Sequence, residues 1–139
     1  MGYTHYFPQT RDFTNDEWSE IVDFTKTLVK EHRNILANAM GEAGTEPEVT
    51  SDHISLNGIE DASHETFEIT RKHNIGFNFT KTARKEYDDV VVAILVYVHR
   101  IAPGALEISS DGDVEDWAAG VQAAQNVSPL TAILSCPII

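Results

Sequence analysis

Apolar positions recur along this chain with two different periods, and the places where the period changes mark its elements. "GYTHYF" near the start alternates aromatic and polar residues, which predicts a first strand ended near Pro8. Then Trp18, Ile21, Val22, Leu28, Val29, Ile35 and Leu36 fall on one helical face. Thr14 with Glu17 makes a capping box ahead of that face, and Gly41 and Gly44 close it. The spacing therefore predicts one long helix up to about residue 40, followed by a loop through "EAGTEPEVT". Alternation returns in "HISLNG" (Ile54, Leu56), where Asn57-Gly58 reads as a turn. It returns again in "TFEIT" (Phe67, Ile69) and in "IGFNF" (Ile75, Phe77, Phe79). Three short strands in succession predict an antiparallel meander.

The next stretch, "EYDDVVVAILVYVHRI", carries Tyr87, Val90, Val91, Ile94, Leu95 and Val98 at helical spacing and is apolar nearly all round. Its valine run would also suit a strand. Its length, the acidic Asp88 and Asp89 at its start and the Pro103-Gly104 stop favour a helix. "ALEISS" reads as a strand. "DGDVEDWAAGVQAAQNV" reads as a last helix with Asp113 as N-cap and Asp116 three residues on. The apolar tail "SPLTAILSCPII" fits an edge strand, a contact between copies of the chain, or packing on the core, and core packing is favoured. This order implies an α+β fold in one domain spanning 1–139. Three helices cover a mixed, mostly antiparallel sheet that contains one β-α-β crossover.

Composition narrows the function classes. A chain of 139 residues supports one core. No apolar run reaches the roughly 20 residues of a membrane span, and the N-terminal residues lack the basic and apolar regions of a signal peptide. One cysteine, Cys136, excludes an internal disulfide. A soluble protein of the host cytoplasm is expected. The formal net charge of -12 argues against nonspecific nucleic-acid binding, which needs a positive face. The distribution is more telling than the sum. Arg71, Lys72, Lys81, Arg84 and Lys85 lie in a stretch without acidic residues, whereas no Lys or Arg follows residue 100.

That basic island sits where the crossover predicts a site. If the strands on either side of the apolar helix are parallel in one sheet, "TKTARK" and "SSDGD" leave it at the same end. Each then leads into a helix N-terminus, where free N–H groups favour anions. Thr80, Lys81, Thr82, Arg84 and Lys85, with Tyr87, would ring one side of a pocket, and Ser109, Ser110 and Asp111 the other. The plainer alternative makes Thr82 a cap, Asp111-Gly112 a turn and the lysines solvated. His64 beside Glu65 is a second candidate, suited to acid–base work. Tyr3 and His5 share one face of the first strand, with Thr4 and Tyr6 on the other. They look into the site or simply pack, and packing is favoured. None of the six histidines stands at metal-ligand spacing to another, and "DGDVED" lacks an EF-hand frame, so no metal and no cofactor are expected. There is no P-loop, dinucleotide fingerprint or Gly-x-Ser-x-Gly, and Ser110 has no base near it in sequence.

"MGYTHYF", "HETF" at 64–67, "KTARKEYDDVV" at 81–91 and "SSDGDVEDW" at 109–117 resemble a group of small proteins encoded by phages, prophages and plasmids. The resemblance spans almost the whole chain. The loop around 41–48, "IEDAS" and the apolar tail exceed its pattern. It implies an accessory role in a phage or mobile element and no particular mechanism. Joined to the basic turn, it favours a counter-defence protein that sequesters a small anionic, nucleotide-like signal such as a cyclic nucleotide. The alternatives are an acidic inhibitor of a host protein and a small nucleotide hydrolase; binding is expected ahead of catalysis. A homo-oligomer formed through the tail is a further expectation.

Overall fold

A computed structural model describes residues 3–73 and 78–138. Within them the chain forms seven strands and three helices in an α+β arrangement: β1 (Thr4–Tyr6), α1 (Asn15–Glu31), β2 (Leu36–Ala37), β3 (Glu48–Val49), β4 (His53–Gly58), β5 (Phe67–Thr70), β6 (Phe79–Lys81), α2 (Asp88–Ile101), β7 (Ser109–Ser110) and α3 (Val114–Val127). No described helix is long and apolar enough to cross a membrane.

Both expected capping boxes are present. Thr14 and Glu17 close the start of α1, and Asp113 and Asp116 close the start of α3, with side chain and backbone bonded reciprocally in each. α2 is buried on nearly every side, from Val90 through Val98. An apolar run that shows no solvated face belongs inside a core. Phe24 of α1 stacks flat on Tyr97 of α2, with ring centroids 3.9 Å apart. α3 lies close on the other side of α2. A Cβ built at Gly120 would fall 2.3 Å from Val92 Cγ1, so only glycine permits this approach.

The strands form two sheets where one was expected. β4 pairs antiparallel with β2, β3 and β5 in one of them. The other has the order β6-β1-β7, with both outer strands antiparallel to β1. β6 and β7 are therefore parallel to each other, as the crossover through α2 requires, but β1 separates them. The expected three-strand meander stops after β4 and β5, because β6 leaves to pair with β1 across Thr4–Lys81 and His5–Thr80. Ile75 and Phe77, assigned to the third strand, lie outside the described residues.

The first helix also ends earlier than its periodicity predicts. His32 terminates α1, its ring Nδ1 and its backbone N–H both meeting the Leu28 carbonyl. Ile35 and Leu36 then leave the helix, and Leu36–Ala37 pairs with Asn57–Gly58. That pairing turns the expected Asn57-Gly58 turn into the end of a strand. The tail forms no described strand. It packs through Leu134, which is buried, with Leu130, Cys136 and Ile138 half-buried against the core.

Candidate functional site

Strand alternation sets the geometry of the small sheet. Tyr3, His5 and Phe7 point into the core and are all buried. Residues directly opposite each other share a face, so Thr80 and Ser110 stand beside His5 on the inner side, and Phe79 and Ser109 stand beside Tyr6 on the outer side. The expected division of Tyr3 and His5 from Thr4 and Tyr6 is the one observed. β6 and β7 also deliver their following loops to the same end of the sheet, so the two loops do share a rim.

Three side chains far apart in sequence meet on the inner face. His5, fully buried, bonds Asp88 Oδ1 through Nε2 (2.6 Å) and Ser110 Oγ through Nδ1 (2.7 Å). A carboxylate can only accept, so Nε2–H donates to Asp88; Ser110 Oγ already accepts from two N–H groups, so its hydroxyl is left to donate to the lone pair of Nδ1 in the neutral ring. The Thr82 hydroxyl also donates to Asp88 Oδ1 (2.5 Å). Ser110 Oγ accepts from the Gly112 N–H (2.9 Å) and from Trp117 Nε1–H (3.2 Å). The His5 ring is held edge-on between Tyr3 and Trp117, with centroids 5.1 and 5.2 Å away. β1, α2, β7 and α3 are thus tied through one imidazole.

The Tyr3 hydroxyl completes this cluster. It is buried beside Ser110 and against Gly112, where an added Cβ would lie 2.2 Å from it. It makes no well-aligned hydrogen bond to any described residue. Its pKa is pushed up to about 12, first by burial and then by the charges of Asp88 and Asp116, so the group stays a donor at neutral pH. The Arg84 guanidinium covers the Tyr3 ring at 4.0 Å and bonds Asp116 through Nη1 (2.9 Å). The Asp113 backbone N–H and then Arg84 hold the Asp116 carboxyl below its ordinary range. Ala83 and Arg84 both have positive φ, 53° and 59°. Two adjacent non-glycine residues in the left-handed region cost on the order of 1–3 kcal/mol each, and such strain gathers at functional turns.

The expected ring of ligand contacts divides into separate groups. Thr80, Thr82 and Tyr87 are buried and already bonded: Thr80 to the Thr66 carbonyl, Thr82 to Asp88, and Tyr87 to the Glu65 carbonyl (2.6 Å). Their hydroxyls are spent within the chain: those of Thr80 and Tyr87 tie β6 and the start of α2 to residues 65–66, and that of Thr82 ties the end of β6 to α2. Lys85 reaches the Asp61 carbonyl (3.1 Å). Asp111 accepts from the Thr4 N–H and the Tyr6 hydroxyl, which fixes the β7 loop to β1. Ser109 is exposed on the outer face. Glu65 accepts from the Lys81 backbone N–H (2.7 Å), while the exposed His64 ring bonds neither Glu65 nor any other described residue. An acid–base pair is therefore not assembled there. The two helix N-termini are filled from within. Asp113 and Asp116 cap α3, and the first N–H groups of α2 bond carbonyls of the preceding turn, Asp88 to Lys85, Asp89 to Glu86 and Val90 to Tyr87. Of the expected cations, Arg84 lies over Tyr3 and Lys81 ends β6 opposite Thr4. Two cluster members escaped the sequence reading. Asp88 reads as an ordinary first-turn acid and Trp117 draws no separate reading, and only their burial beside a strand histidine reveals them.

Two clefts border this region. One of about 480 Å³ is lined by Ile108, Ser110, Gly112, Val114, Pro137 and Ile138, among others. The other, of about 750 Å³, runs between the end of α1, the start of α2 and the outer face of α3, and it carries Glu31, His32, Glu86 and Asp89. Burial first, and then the neighbouring Asp88, raise the Asp89 pKa. No group of three or more His, Cys, Asp or Glu among the described residues is arranged to hold a metal ion. Comparison with protein-family models, with curated proteins and with solved structures returns no match for this chain.

Proposed function

We propose that the protein binds a small anionic molecule of the nucleotide type at the Arg84 turn and acts by holding it out of solution. The observation that carries this reading is the posture of Arg84. A strained turn fixes it over an aromatic ring, and it spends one nitrogen on Asp116. Its Nε and Nη2 bond no described residue, which leaves an edge of the fork for a phosphate or carboxylate. Lys81, opposite Thr4 of β1, adds a second cation at the end of β6. The likeness to phage and plasmid proteins supplies the setting, a counter-defence protein that removes a signal such as a cyclic nucleotide.

Calorimetry against a panel of linear and cyclic nucleotides tests the reading. One member is expected to bind, and Arg84→Ala with Lys81→Ala is expected to weaken it by at least ~100-fold, since each charge-assisted bond is worth about 1.5–3 kcal/mol. Absence of heat with every member removes the reading.

The acidic cleft favours a second reading, inhibition of a host protein through a basic segment. Glu31, Glu86 and Asp89 line a groove whose α3 wall is small and uncharged at Ala119 and Ala123. In this case, capture of a host protein falls with added salt and is lost in a Glu31→Lys, Glu86→Lys variant that still folds. Capture that survives the charge reversal counts against this groove.

A further inference from the structure

We infer that Ser110, His5 and Asp88 form a nucleophile–base–carboxylate relay able to hydrolyse a carboxylic ester with a small apolar acyl group. This rests on the inner-face hydrogen bonds and not on Arg84, so it stands or falls apart from the anion reading. Asp88 holds the proton on Nε2, and the Nδ1 lone pair lies 2.7 Å from Ser110 Oγ, within reach for general base catalysis. Relative to serine proteases the two ring nitrogens have exchanged roles. The chemistry needs only that one be held protonated and the other face the hydroxyl.

The reaction balances without a further reagent. The Ser110 oxygen attacks the carbonyl carbon as its proton passes to Nδ1, and the carbonyl π pair moves onto oxygen. Collapse re-forms the carbonyl and breaks the bond to the leaving alkoxide, which takes the proton from Nδ1. Water then attacks the acyl-serine through the same base and releases the carboxylic acid, restoring Ser110. Ester and water become acid and alcohol.

Two further features fit these steps. A buried Tyr3 hydroxyl faces Ser110 without a well-aligned hydrogen bond to it, where a developing oxyanion needs a donor. The Gly112 and Trp117 N–H groups hold Oγ and stabilise charge as its proton leaves. The longer contact, from Trp117 at 3.2 Å, is the one that yields when the new C–O bond forms.

The surroundings select the substrate. Asp88, Asp111, Asp113 and Asp116 stand close by, with Arg84 as the cation over Tyr3. At Ser110 itself, away from the free edge of Arg84, a phosphoryl group would bring like charge toward these carboxylates, whereas a carbonyl is neutral until it is attacked. The 480 Å³ cleft reaching Ser110 is walled by Ile108, Val114, Pro137 and Ile138, which suits a short apolar acyl chain.

The test uses the full chain with an uncharged fluorophosphonate probe and with p-nitrophenyl butyrate. A single adduct is expected on Ser110 by peptide mapping, with p-nitrophenol released. Ser110→Ala is expected to lose both. His5→Gln preserves a hydrogen-bonding side chain between Asp88 and Ser110 but cannot carry the proton, so labelling is expected to slow at least ~100-fold in folded protein. If His5→Gln fails to fold, the wild-type and Ser110→Ala arms decide. Wild-type protein that leaves both reagents unreacted overturns the inference. So does labelling shared equally with Ser109, or labelling at Ser110 that His5→Gln does not slow.

Discussion

Asp88→Ala lowers the stability of the protein by about 3–5 kcal/mol, the cost of removing one partner from a buried polar pair. The Asp88 carboxylate, nearly inaccessible to solvent, accepts from both His5 Nε2–H and the Thr82 hydroxyl through a single oxygen. Alanine leaves both donors buried and unsatisfied, at about 1–3 kcal/mol each. It also removes a negative charge from the start of α2, where the helix dipole favours one. Asp88→Asn retains an acceptor and is expected to cost less. Urea unfolding followed by circular dichroism should show a lower midpoint at an unchanged slope. A shift of less than about 1 kcal/mol would mean that the four elements are held by apolar packing alone.

Trp117→Ala has an expected loss of similar size, about 3–5 kcal/mol, from emptying a fully buried indole site. Trp117 packs edge-on against His5 and bonds Ser110 through Nε1–H. One turn later Gly120 brings α3 against Val92, so the backbone around the vacated space has little freedom to collapse into it. Trp117→Phe separates the two contributions. It keeps most of the ring and loses the donor, so its expected cost is about 0.5–1.5 kcal/mol. Equal losses in the two variants would assign the effect to the hydrogen bond and not to the packing. For the proposed relay, Trp117→Phe is the more informative change, because it frees one position on Ser110 Oγ while leaving His5 in place.

How much of this was legible in the sequence follows from the range of each interaction. The capping boxes at Thr14 and Asp113 close within three residues, and both were readable from residue type and spacing. The helical state of α2 was readable as well, since its length and flanking signals outweighed its valine content. The end of α1 was not. The apolar period runs on through Ile35 and Leu36, but pairing with Asn57–Gly58 claims Leu36–Ala37 for a sheet. Likewise Phe79 and Thr80 alternate correctly, and nothing local says that their partner is β1 and not β5.

The candidate site shows the same division. The sequence could place Arg84 and Ser110 at one rim, because parallel strands feeding helices must release their loops at the same end. It could not show that Asp113 and Asp116 cap α3 or that the first N–H groups of α2 bond back onto the preceding turn, which together take up the helix starts that an anion would have used. Nor could it select His5, which finds Asp88 across 83 positions and Ser110 across 105.

What the sequence by itself determined is therefore the local part: which segments are helices, where two of them begin, the α+β class and the polarity of the crossover. These depend on patterns repeated within a few residues. Only the tertiary structure decided the two-sheet division, the central place of β1 and the polar cluster around one buried imidazole. Those features depend on contacts whose partners are separated by most of the chain, and the energy that selects them exists only once the core has closed.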